Sequence, residues 1–160
     1  MNGPTGNGLY AARHFQNAYT TRDVDAAARM FAERHGVKTF HYMRDVPFGP
    51  DATIHIGLAW AGDVMIELIQ PNGGDNLYTN WLPPAGQHLR FHHMGHLIAD
   101  KAEFDRVSQL GTRSLPVAIQ GVNYGVHYLY LDARAELGHF LEYVHLEGDA
   151  THLFDPVPRY

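Results

Sequence analysis

Hydrophobic and polar positions along the chain repeat one short grammar twice. From Arg13 to Thr21, Phe15 and Tyr19 fall on one side and Gln16, Ala18 and Thr20 on the other, the alternation of a half-buried strand. Asp23 then stands where a helix N-cap belongs, Val24, Ala27, Ala28 and Phe31 recur at helical spacing, and Gly36 marks the stop. Three segments rich in Val, Ile, Thr and aromatics follow, Lys38 to Arg44, Thr53 to Trp60 and Val64 to Ile69, separated by Pro-Phe-Gly-Pro and Ala-Gly-Asp turns. This predicts βαβββ. The same order returns with a strand over Leu89 to Ala99 and a helix capped by Asp100 with Glu103. That helix buries Phe104, Val107 and Leu110 before Gly111, and strands follow near Leu115 to Gln120, Val126 to Asp132 and His139 to His145. The predicted organisation is therefore a first module over residues 10–72, a linker or lid over 73–90, a second module over 91–147 and a tail over 148–160. The linker is heavy in Gly, Asn and Pro but carries Leu77, Tyr78, Trp81 and Leu82, so it is expected to pack over a surface or cleft mouth. The tail is expected to lie extended against the body, and the Gly, Pro and Asn of Met1 to Gly8 to fray.

Composition narrows the function. With 160 residues and 45% hydrophobic content the chain can bury one substantial core or two small modules. A net charge of −5 without long charge runs argues against nucleic acid and against a basic membrane patch, which leaves a small molecule as the expected partner. No apolar run reaches the roughly 20 residues of a membrane helix, and the start does not resemble a signal peptide, so a cytoplasmic location is expected. The absence of cysteine removes disulfides, thiolate metal sites and thiol nucleophiles, so any metal must be held by nitrogen and oxygen.

Four residues repeat with the modules. Gln16 precedes Asp23 by seven residues and Glu67 by 51; His93 precedes Asp100 by seven and Glu142 by 49. Glu67 and Glu142 each interrupt a strand that reads as buried on both faces, and Lys and Arg are nearly absent from those strands. A buried carboxylate without compensation costs several kcal/mol. One divalent ion at a pseudo-twofold site would compensate both, with Gln16, Glu67, His93 and Glu142 as ligands. One nitrogen and three oxygens suit zinc, nickel, cobalt, manganese or iron(II) and do not choose among them.

The other histidines are assigned by strand alternation. His92 and His96 point away from His93, and His139 and His145 away from Glu142, which gives them structural roles. His14 shares the Gln16 side and is the expected outer partner of the ligands. His41, His55 and His127 lie in strands of unfixed register and are candidates for lining a cavity, whereas His35, His88 and His152 are expected on the surface. Taken alone, a strand Glu is more often paired with Arg or a backbone donor, and a strand Gln is usually only hydrogen-bonded; the matched spacing is what favours ligation.

These segments carry a resemblance. Phe15-Gln16-Asn17-Ala18-Tyr19-Thr20-Thr21-Arg22-Asp23-Val24-Asp25-Ala26-Ala27, Val64-Met65-Ile66-Glu67-Leu68-Ile69, His92-His93-Met94-Gly95 and Leu137-Gly138-His139-Phe140-Leu141-Glu142 resemble the vicinal oxygen chelate superfamily, over roughly Arg13 to Glu147. That group includes glyoxalase I, methylmalonyl-CoA epimerase, extradiol dioxygenases and bleomycin-resistance proteins. The resemblance implies an α+β fold of two tandem βαβββ modules forming a cupped, incomplete β-barrel with flanking helices. It puts Gln16, Glu67, His93 and Glu142 on the four ligand positions, an identity similar to that of some zinc glyoxalases. The chain is most similar to glyoxalase-like members: neither a glutathione-binding nor a coenzyme-A-binding segment is evident. The implied chemistry is that of a lyase, isomerase or epimerase: proton transfer next to a carbonyl, on a substrate whose vicinal oxygens chelate the metal through an enediolate or enolate. Glu142 is the expected base, and Glu67 a second one that would permit epimerisation. Ring-cleavage dioxygenases fit less well, because they use two histidines and one glutamate around iron. A binding protein for an aromatic or antibiotic-like compound is the alternative, with Tyr42, Trp60, Tyr128 and Tyr130 as walls, whereas no feature supports a scaffold protein. The matched halves imply modules paired within one chain, with a homodimer as the expected assembly.

Overall fold

In a computed structural model that describes residues 8–160, the chain folds as the α+β protein expected, with two βαβββ modules in sequence and helices packed on their sheets. The frayed start expected over Met1 to Gly8 lies, up to residue 7, outside the described residues. The first module comprises β1 (Arg13–Thr20), α1 (Val24–Arg34), β2 (His41–Pro47), β3 (Thr53–Ala61) and β4 (Val64–Asn72), with strand order β2-β3-β4-β1. The second comprises β5 (Arg90–Leu97), α2 (Lys101–Ser114), β6 (Val117–Asn123), β7 (Val126–Asp132), a short α3 (Arg134–Leu137) and β8 (Phe140–Leu146), in the order β5-β8-β7-β6. In each module the first and last strands run parallel and the remaining pairs antiparallel.

Both helices begin where their caps dictate. The Asp23 carboxylate accepts from the Asp25 and Ala26 N–H groups, and the Asp100 carboxylate from that of Glu103. A second tie fixes the start of α1, for the Val24 N–H donates to the Gln70 side-chain oxygen on β4 at 2.9 Å. His35 ends α1, and Gly36, at φ 76°, turns the chain in the left-handed conformation that glycine tolerates. Gly111 is different. The helix α2 passes through it to Ser114, and Leu110 is only half-buried, so the expected stop is a close approach instead: a Cβ on Gly111 would stand 2.5 Å from Leu131 Cδ1.

Contacts gather the chain into two compact units, and each borrows a terminus from the far end of the sequence. One holds Gln16–His92 together with Pro156–Tyr160; the other holds residues 8–15 together with His93–Asp155. In the first unit, Val24, Ala27 and Ala28 of α1 pack on Ala59 and Leu68, with Val37 and Phe40 closing the edge. The β2 strand begins at His41, three residues later than its pattern predicts, because Phe40 turns into this core. The terminal segment continues where β2 leaves off: the Trp60 N–H donates to the Pro158 carbonyl and the Tyr160 N–H to the Trp60 carbonyl, with Arg159 stacked on the Trp60 ring. The expected extended tail is thus a bridge to β3, preceded by a 3-10 turn over Gly148–His152.

In the second unit Phe104, Val107, Leu129, Leu131, Leu141 and Tyr143 form the core, and Leu9 and Ala12 join it. The Tyr143 hydroxyl donates to the Leu9 carbonyl at 2.8 Å. His96 lies here too, almost fully enclosed, stacked on Tyr143 and meeting Tyr10 and His14 at its edges.

Two predictions follow from this packing. Replacing Gly111 with Ala forces a methyl into the fully buried Leu131 side chain, and a loss of about 1–3 kcal/mol in urea unfolding is expected, partly recovered in Gly111→Ala/Leu131→Val; an unchanged midpoint for the single variant would refute the packing argument. Burial pushes the His96 imidazole from an ordinary 6.5 down to about 4. The unfolded chain therefore takes up this proton before the folded one, so the contribution is intact above pH 6.5 and is lost as pH falls toward 4, by on the order of 3 kcal/mol. His96→Phe should flatten the fall in unfolding midpoint between pH 7 and pH 4.5, and equal slopes for variant and wild type would rule His96 out.

Candidate functional site

Strand register puts the four candidate residues at equivalent places in the two modules. On β1 and β4, Gln16 stands opposite Met65 and Ala18 opposite Glu67; on β5 and β8, His93 stands opposite Phe140 and Gly95 opposite Glu142. In each module the carboxylate therefore lies two residues beyond the partner of the first-strand donor. Since alternate residues share a face, donor and carboxylate project to the same side of their sheet. A small residue, Ala18 or Gly95, stands directly across from each carboxylate and leaves it room.

All four side chains are buried. In the second unit the pair is in direct contact, with His93 Nε2 3.1 Å from Glu142 Oε2. Tyr130, opposite Glu142 on β7, sets its ring edge-on to His93 at 5.0 Å. The equivalent position beside Glu67 is Leu58 on β3. The two halves thus present similar donors in different surroundings, one aromatic and one aliphatic. Tyr130 was legible in the sequence only as a possible wall; its place beside His93 depends on the β7–β8 register, which alternation alone does not give.

Register also sorts the remaining candidates. His41 pairs with Leu58 and so shares the Glu67 side of the first sheet, half-buried. His55 pairs with Gln70 on the α1 side, where its Nδ1 accepts from the Asp45 N–H at 3.1 Å. His127 pairs with His145 on the α2 side, packed with Phe104. His14 meets His96 with ring centroids 6.0 Å apart. His92 and His96 are both buried: His92 packs tilted against Tyr78 and contacts the Leu77 carbonyl, and His96 stacks on Tyr143. His35, His88 and His152 are exposed. Of the four expected walls, Trp60, Tyr128 and Tyr130 lie on the carboxylate sides of their sheets, but Tyr42, opposite Gly57, lies on the helix side and is corrected on that ground.

The connecting segment is held by its aromatics. Tyr78 is buried against Ala18, Ile54 and Ile69, on the same side of the first sheet as Gln16 and Glu67. Trp81 donates from its indole N–H to the Phe91 carbonyl, accepts at its own carbonyl from Thr20, and carries the Arg90 guanidinium on its ring. A cavity of about 350 Å³ opens on the other side of this unit, between α1 and β2, among Ala28, Arg29, Lys38 and Tyr42. It lies on the side of the sheet opposite Glu67.

Among the described residues no three His, Cys, Asp or Glu side chains stand gathered to hold a metal. Each module supplies one carboxylate with a Gln or His beside it on the same side of the sheet, hard to borderline oxygen and nitrogen atoms, buried and carried on strands, which are the kinds of group that bind divalent ions.

No protein-family model matches the chain, and no curated protein matches it by sequence. Solved structures do. A methylmalonyl-CoA epimerase from Mycobacterium tuberculosis superposes with a TM-score of 0.66 at 11% identity, covering 91% of this chain and 95% of its own. A Streptomyces coelicolor methylmalonyl-CoA epimerase variant in complex with 2-nitronate-propionyl-CoA gives 0.63 at 16% identity, with 86% and 99% covered. A hypothetical protein from Bacillus halodurans gives 0.61 at 12%, with 86% and 96% covered. At these identities the likeness is one of fold: the chain has the fold of the methylmalonyl-CoA epimerases.

Proposed function

We propose that this chain is a metal-dependent enzyme of the epimerase or isomerase type, moving a proton on a carbon next to a carbonyl. The observation that carries the reading is the buried His93–Glu142 pair, repeated in kind and register by Gln16 and Glu67. Two carboxylates at equivalent, enclosed positions are hard to justify as packing and easy to justify as acid and base. Gln16, Glu67, His93 and Glu142 would hold one divalent ion, whose contribution when bound is that of a Lewis acid toward adjacent substrate oxygens. Glu142 is the proposed base, with the His93 ring at 3.1 Å orienting its carboxylate. Glu67 is the proposed second acid or base, which would return a proton to the opposite face of the same carbon and so make the reaction an epimerisation rather than a one-sided isomerisation. The Tyr130 ring shields His93 from water.

The substrate is proposed to be a small molecule with vicinal oxygens. Acyl-CoA thioesters come first for testing because methylmalonyl-CoA epimerases share the fold, and 2-oxoaldehyde adducts second, for the lyase reading. The non-catalytic alternative draws on Tyr128 and Tyr130, which share the Glu142 side of the sheet and would serve a bound aromatic ring. A cytoplasmic homodimer is proposed as the assembly; the edge strand β6, with exposed Val117 and Val122, offers it a surface.

Elemental analysis of untagged protein should find bound divalent metal, with about one ion per chain lost in Glu67→Ala. Glu142→Gln should abolish deuterium exchange at the substrate α-carbon, a loss of at least about 100-fold, while far-UV circular dichroism is unchanged. Glu67→Gln should suppress epimerisation more than exchange. Full exchange in Glu142→Gln would remove Glu142 from its role, and a metal-free wild type whose melting ignores chelator would turn the reading toward the binding protein.

A further inference from the structure

His127, His145 and Glu147, side chains of types that can ligate metals, lie together in the second unit, the two histidines on the α2 side of its sheet. His127 and His145 stand opposite each other on β7 and β8, with ring centroids 5.5 Å apart. Glu147 follows His145 by two residues, just past the end of β8, and its Oε1 lies 2.9 Å from His127 Nε2. That nitrogen is buried and is not aligned for a hydrogen bond. The separations are those of ligands on one ion. Two imidazoles bound to a tetrahedral zinc at about 2.0–2.1 Å have centroids about 5 Å apart, and a nitrogen and an oxygen on neighbouring coordination positions stand about 3 Å apart.

We propose that His127, His145 and Glu147 form a structural site for zinc or a similar borderline divalent ion, separate from the Gln16, Glu67, His93 and Glu142 set. His145 is prepared for it. Its Nδ1 is 2.9 Å from the Ile98 carbonyl; donating a proton there leaves Nε2 as the lone-pair nitrogen, the arrangement that orients most ligating histidines. The carbonyl sits two residues before Asp100, so the ion would tie β7 and β8 to the start of α2. Phe104 packs about 6 Å from both rings and limits water. Lys101, at the start of α2, is engaged by both oxygens of Asp105 at 2.7 and 2.8 Å rather than by Glu147. Because no three such side chains are yet gathered at ligating distance among the described residues, one donor has to close on the ion. Glu147, half-exposed and beyond the strand, is free to do so. The set of two nitrogens and one carboxylate leaves a fourth position for water.

Metal-stripped protein dialysed against low-micromolar free zinc should take up two ions per chain. His93→Gln should retain one of them, and His127→Gln and Glu147→Gln should each lose one. Zinc should raise the melting temperature of His93→Gln and leave His93→Gln/Glu147→Gln unmoved. Glu147 is half-exposed, so its substitution does not threaten folding. Wild-type stoichiometry in both His127→Gln and Glu147→Gln, or loss of all zinc in His93→Gln alone, would overturn the site. The second result would leave the proposed catalytic centre standing, and a single ion lost only in His127→Gln and Glu147→Gln would do the reverse.

Discussion

The parallel pairing of first and last strands within each module is the constraint on which the rest depends. A βαβββ unit brings its ends together only if the helix crosses the sheet and the three later strands fold back, so the pairs β1–β4 and β5–β8 close each module. That closure carries a donor and a carboxylate from opposite ends of a module onto one side of one sheet, two positions apart in register. The helix sides carry the main apolar cores, and both carboxylates lie on the other side. Neither carboxylate could be buried this way in an isolated hairpin.

Much of this is legible in the sequence, for reasons that can be named. The caps Asp23 and Asp100 announce themselves because only short polar side chains satisfy the free N–H groups of a first turn. The β7 strand is read correctly to both ends: Gly125, at φ 81°, turns the chain before it, and Ala133 after it leads into α3. Other edges slip where tertiary packing overrides local pattern. The β4 strand runs on through Pro71 to Asn72 since Pro71 pairs with Ile54, and β6 starts at Val117 and is shifted at a bulge near Ile119. Gly111 reads as a helix stop because a glycine gives no local sign of whether it ends a helix or admits a neighbour; only Leu131, twenty residues on, distinguishes the two.

The site is legible in a narrower sense. Spacing identifies Gln16, Glu67, His93 and Glu142 as equivalent, and the registers of both sheets agree with that equivalence. Spacing says nothing of antiparallel partners, so Tyr130 beside His93, Leu58 beside Glu67 and the helix-side position of Tyr42 emerge only from the pairing of β7 with β8 and of β2 and β3 with β4. Histidines mislead most, since this ring is polar enough to suggest chemistry and flat enough to pack: His55 and His127, candidates for lining a cavity, lie on the helix sides of their strands.

The exchange of terminal segments between the units has a consequence for synthesis. Domains generally fold as they leave the ribosome, earlier ones first. Here the unit built from Gln16–His92 lacks residues 156–160, and with them the backbone partners of Trp60, until every residue of the other unit has been made. The unit containing His93–Asp155, whose core receives Leu9 and Ala12 from the start of the chain, has all its parts sooner. The half translated first is therefore the half completed last, and through that interval the end of β3 near Trp60 stands as an open edge available to other nascent chains.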